Sequence, residues 1–181
     1  MEERYSVIDK IYAERVEDIF NFAQTHNLEQ HHLSDENFPG KILMLSEPGQ
    51  KLPEGTTKRL LEELERVKKD NKHRSCFDIA VSVAKRIPGT ACLETADGVK
   101  NLIMFGNHCI NLMVLSENMF LAADFKGPED MVGHNGPFQV LALQGKSVED
   151  IQQHLNELYG GDWKVMSPEK QERFYARAYR E

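Results

Sequence analysis

Cys76, His108 and Asp124 are the side chains whose types and order could carry acyl-transfer chemistry. In such a set the thiolate attacks a carbonyl carbon and the imidazole moves the proton. The carboxylate fixes the imidazole tautomer and stabilises its cation. Cys76 is expected to open a helix directly after Lys72-His73-Arg74-Ser75. Free N–H groups and the positive end of the helix dipole stabilise a thiolate there, and neighbouring cations add to that field.

Several elements must bring these groups together. Apolar residues Ile8, Ile11, Tyr12, Val16, Ile19, Phe20 and Ala23 recur at helical steps and predict a helix over residues 5 to 25. Residues 27 to 55 lose that period and collect Pro39-Gly40, Pro48-Gly49 and Pro53, which reads as loop with a short strand at Lys41 to Leu45. Thr57 is expected to cap a helix running to about Lys69, with Leu60, Leu61, Leu64 and Val67 inward. The helix from Cys76 carries apolar residues nearly all round, so it should be buried, and it must stop before Pro88-Gly89.

Beyond that helix the period changes to two. Thr90 to Glu94, Leu102 to Phe105, His108 to Leu115, Met119 to Asp124 and Phe138 to Leu143 read as strands of an antiparallel sheet joined by short turns. Around the Ser116-Glu117-Asn118 turn, Leu115 is expected to pair with Met119 and so on outward, which puts Asn111 or a near neighbour opposite Ala123 and His108 close to the level of Asp124 or just beyond it. Two closing helices follow, one capped by Ser147 with Asp150 and one by Ser167 ahead of Pro168, with Tyr159-Gly160-Gly161 as the stop between them. The fold class is α+β in a single domain over 1–181. It divides into an N-terminal helix and loop region (1–55), a core bearing the candidate site (56–145) and C-terminal helices (146–181).

Other reactive side chains read as structural. Cys92 and Cys109 fall within strands and should pack inward, with Cys109 on the opposite side of the sheet from His108. His31-His32 could bind a metal together, but nothing at ligand spacing supports them, and they are taken as surface. His134, in Gly133-His134-Asn135-Gly136, is a candidate rim residue, and Trp163 should anchor the returning chain on the core. An oxyanion hole would use the Cys76 N–H, with Asn71, His73 or a side chain before Lys41 as second donor.

The composition excludes several classes. Net charge is −7 and the pI is near 5.5, so nucleic acid has no global attraction to this chain. Lys68-Lys69-Asp70-Asn71-Lys72-His73-Arg74 is the one basic cluster, read as a solvated helix end and as the one groove that could serve coenzyme A. Three cysteines without a C-x-x-C pair argue against disulfides or a zinc site. The expectation is a cytoplasmic protein with no membrane segment, no metal and no cofactor.

The order of the three residues on a helix start, a strand and the end of the next strand resembles the transglutaminase-like superfamily within the papain-like group. Cys76-Phe77-Asp78 is similar to the Cys-Phe-Glu that opens the active-site helix of arylamine N-acetyltransferases. Met119-Phe120-Leu121-Ala122-Ala123-Asp124-Phe125 is similar to their apolar strand ending in aspartate. Lys72-His73-Arg74-Ser75 stands where those enzymes carry Arg-Gly-Gly. The resemblance covers about residues 57 to 143. It implies a Cys76, His108, Asp124 triad acting on an amide bond of a protein or peptide, as a peptidase, amidase, deamidase or transglutaminase. The alternative is an inactive fold of that kind serving as a protein-binding module.

Overall fold

The computed structural model describes residues 2–70, 75–96, 107–126 and 137–179, with side chains from Glu14 onward, Asp70 excepted. Among these residues the chain is α+β: five helices and one seven-stranded mixed sheet. α1 (Glu2–Thr25) leads into the hairpin of β1 (Glu29–Asp35) and β2 (Phe38–Ser46). α2 (Thr56–Asp70) and α3 (Cys76–Arg86) precede β3 (Thr90–Thr95), β4 (His108–Ser116), β5 (Met119–Asp124) and β6 (Val140–Gly145). α4 (Val148–Tyr159), β7 (Trp163–Val165) and α5 (Pro168–Tyr179) close the order. No helix among the described residues is long and apolar enough to cross a membrane.

Strand order across the sheet is β1-β2-β6-β5-β4-β3-β7. Every neighbouring pair is antiparallel except β2 with β6, which run parallel, and this corrects the expectation of a wholly antiparallel sheet. The reason lies in β2: Ile42, Leu43, Met44 and Leu45 are all buried. A continuous apolar run has both faces covered, as an inner strand requires. The expected loop over 27 to 55 is likewise corrected, because most of it is the β1–β2 hairpin. β1 is a polar edge strand, Glu-Gln-His-His-Leu-Ser-Asp, so it offers no apolar alternation to read. The expected Leu102 to Phe105 strand lies outside the described residues; β3 pairs with β4 and β7.

Alternation along the strands sorts the core into two layers. Leu43, Leu45, Ile110, Leu112, Ala122, Leu141 and Leu143 pack with Ile19 and Ala23 of α1 and with Ile151, Leu155, Leu158 and Tyr159 of α4. On the other face, Ile42, Met44, Met113, Leu121 and Ala123 meet Leu60, Leu61 and Leu64 of α2 and Ile79 and Val83 of α3. Ala80, Val81 and Ala84 of α3 join Cys92, Cys109 and Met166 in a third cluster, with Phe77, Phe174, Tyr175 and Tyr179 at its rim. Ile79 to Ala84 are consecutively buried, as an all-round apolar helix requires. That helix ends at Arg86, with Ile87 as its C-cap before Pro88.

Candidate active site

Ser75 begins the construction. Its backbone is extended, and its hydroxyl accepts from the Asp78 N–H at 3.2 Å, so α3 starts with Cys76 as its first residue. The Cys76 N–H therefore belongs to the first turn, whose donors have no intrahelical acceptor. The thiol is half-buried. Asn111, almost wholly buried on β4, donates from Nδ2 to the Ala80 carbonyl at 2.8 Å. That bond fixes α3 on the strand that carries His108.

β4 and β5 pair with Asn111 opposite Ala123, as expected, but the expected pairing of Leu115 with Met119 is corrected, because a bulge between Val114 and Ser116 leaves Ser116 opposite Met119. His108 and Asp124 then share one face near the same end of the sheet. The contact is direct: His108 Nε2 lies 2.8 Å from Asp124 Oδ2. An ionised carboxylate only accepts, so Nε2 carries the proton and Nδ1 is the ring nitrogen left for the thiol. The Cys76 thiol lies close enough to the imidazole to favour its charged form. His108 and Asp124, on two separate strands, are thus in direct contact, with Cys76 at the start of α3 near the imidazole.

Burial of His108 disfavours its charged form. The Asp124 charge and hydrogen bond, with the hydrogen bond and charge of Cys76, outweigh that effect and raise the imidazole to about 10. His108 is accordingly an imidazolium at neutral pH, held between a carboxylate and a thiol. Tyr159 and Trp163 set its plane: both rings stand edge-on to the imidazole, at 6.0 and 5.9 Å between centroids.

Tyr159 is the residue the sequence reading did not find as a member of the site. Its hydroxyl donates to Asp124 Oδ2 at 3.0 Å, while Oδ1 accepts from the Lys126 N–H at 3.3 Å. Burial and the nearby Asp124 push the phenol well above its ordinary range, so it remains a donor. In sequence Tyr159 marks only the end of a helix. The buried position that α4 gives it at the sheet is what carries it to Asp124, and a helical apolar period ending in tyrosine is the only signal that could have pointed there.

The remaining candidates separate from this centre. Cys92 and Cys109 are buried, and Cys109 packs with α3 on the opposite face from His108, as strand alternation requires. Burial first, and then hydrogen bonding with Cys92, raise the Cys109 thiol well above its usual value. His31 bonds Ser46 Oγ at 3.0 Å and approaches Glu29 at 3.3 Å, whereas His32 is exposed. Successive strand residues face opposite ways, so the two cannot share a metal. No cluster of three metal-ligating side chains occurs among the described residues. Trp163 is buried and donates from Nε1 to the Gly160 carbonyl at 2.9 Å, which anchors the returning chain. Asn71, His73 and His134 lie outside the described residues, as does the basic cluster beyond Asp70. No family model, curated protein or solved structure matches this chain.

Proposed function

We propose that the protein is a cysteine-dependent acyl-transfer enzyme that acts on amide bonds of a protein or peptide through a thioester, on a papain-like or transglutaminase-like core. The observation that carries this reading is the buried His108–Asp124 bond, with the half-buried Cys76 at a helix N-terminus close enough to favour the charged form of the same imidazole. A lone buried cysteine would mean packing. A thiol, an imidazolium and a carboxylate in series have a chemical use.

In the first half-reaction the Cys76 thiolate attacks the amide carbonyl carbon, and the carbonyl π electrons move to oxygen. The Cys76 N–H is placed to donate to that oxyanion. Collapse breaks the C–N bond while the imidazolium gives its proton to the departing nitrogen, leaving a thioester and a neutral imidazole. Water or an amine then attacks the thioester carbon as His108 takes its proton, and the thiolate leaves. Asp124 holds the ring in the orientation both transfers need, and Tyr159 holds Asp124. Water as acceptor gives peptidase, amidase or deamidase activity, and an amine gives a transglutaminase. The same residues serve each.

The test is the reactivity of Cys76. Iodoacetamide near pH 6 should label it at least roughly tenfold faster than it labels glutathione, as expected of a nucleophilic cysteine with a proton partner. A rate no greater than glutathione's would remove the reading. Peptide mixtures treated with the protein should gain cleavage, deamidation or cross-links by mass spectrometry, and Cys76→Ala should abolish them.

A further inference from the structure

The outer face of α5 departs from the charge of the rest of the molecule. In a chain of net charge −7, Lys170, Arg173, Phe174 and Arg177 line an open cleft of about 300 Å3 with no acidic side chain in its wall. Positions 170, 173, 174 and 177 form one helical stripe. Lys170 is committed to Glu94 at 2.5 Å. Arg173 and Arg177 are exposed and have no ion pair among the described residues, and the Arg177 guanidinium lies 4.7 Å from the Phe174 ring centroid.

This stripe is coupled to the candidate site by contact. Phe174 stacks on Phe77 at 5.3 Å, and Phe77 directly follows Cys76. α5 runs antiparallel to α3: Glu172 pairs with Lys85 near the end of α3, while the Tyr179 hydroxyl donates to the Asp78 carbonyl in its first turn. Phe174 and the turn of α5 that carries Arg177 and Tyr179 therefore lie towards the end of α3 that bears the thiol, with Arg173 one position after the Glu172 that reaches Lys85.

We propose that the Arg173, Phe174, Arg177 cleft binds an acidic segment of the substrate chain and thereby selects protein substrates with carboxylates near the reacting amide. This rests on the acyl-transfer reading. Guanidinium forks match carboxylates bidentately, and the half-buried Phe174 ring offers an apolar neighbour for a leucine or aromatic of the same segment. A nucleic acid would meet the same arginines but also the repulsion of the whole molecule.

Binding can be tested apart from catalysis in the Cys76→Ala chain. The probe is a fluorescein-labelled dodecapeptide with glutamates and leucines around a central glutamine, read by anisotropy against a counterpart with every glutamate replaced by glutamine. The glutamate peptide should bind about five- to tenfold more tightly, as expected for two exposed charge-assisted contacts, and added salt should weaken it. Arg173→Gln with Arg177→Gln should erase the difference, and Arg173→Lys with Arg177→Lys should restore part of it. Both positions are exposed, and matched urea midpoints would establish that the variants fold. Equal binding of the two peptides, or no effect of the glutamine variants, overturns the proposal. So does a thymidine dodecanucleotide that displaces the glutamate peptide and itself depends on the arginines. Arginine-dependent binding without any Cys76-dependent conversion in the native chain would leave the cleft standing and remove the enzyme reading. Conversion that ignores both the glutamates and the arginines would do the reverse.

Discussion

Replacing Asp124 by asparagine would keep the outline of the side chain and remove its charge. Burial, which disfavours charge on His108, would then lack its main opponent, and the imidazole should fall from about 10 to below its ordinary 6.5. At neutral pH the ring would be neutral and Cys76 would lack its cationic partner. We expect iodoacetamide labelling at pH 6 to slow to the glutathione rate and any amide turnover to drop roughly 10²-fold or more. An NMR titration of His108 that is the same in the native and Asp124→Asn proteins would sink this account. The meeting of His108 with Asp124 was legible because hairpin register is arithmetic outward from a turn, and Ser116-Glu117-Asn118 marks that turn. Tyr159 was not legible, because its bond to Asp124 depends on where α4 docks across the sheet, and no local pattern encodes that distance.

At the level of elements, the start of α3 and the turn before β7 are the pieces that set the site. Ser75→Ala removes the side-chain acceptor for the Asp78 N–H and should cost about 1 kcal/mol in urea unfolding. Gly161 has φ +86°, and a Cβ there would come within 2.5 Å of Thr95 Oγ1. Thr95 is the cross-strand partner of both His108 and Trp163. Gly161→Ala should therefore destabilise by about 1–2 kcal/mol, and the Trp163 fluorescence should report a loosened ring beside His108. Unchanged emission would show that the turn does not hold the tryptophan. The cap, the turn and the buried helix were all readable, since each rests on a local preference. β1 was missed for the opposite reason: an edge strand of polar residues is specified by its pairing with β2 and by little of its own. The strand β7, Trp163–Val165, is likewise defined by its pairing with β3.

For the whole molecule, the raised His108 links stability to pH. Its folded value of about 10 exceeds the ordinary 6.5, so the folded state binds the proton more tightly than the unfolded chain. That contribution is complete below pH 6.5 and is lost as pH rises through about 10. Urea midpoints of the native protein should fall across this window, and Asp124→Asn should flatten the fall. The parallel partnership of β2 with β6 escaped the sequence reading because short turns constrain only consecutive strands, and these two are far apart in the chain. Lys41 and Gln139 meet by two hydrogen bonds across a separation of 98 residues, and Cys76, His108 and Asp124 all lie inside that span. Closing so long a loop is an entropic debt settled only when the sheet completes. Until then Cys76 has no His108 beside it. On the acyl-transfer proposal, completion of the nucleophile is thus timed by folding itself, and a half-folded copy would be chemically silent.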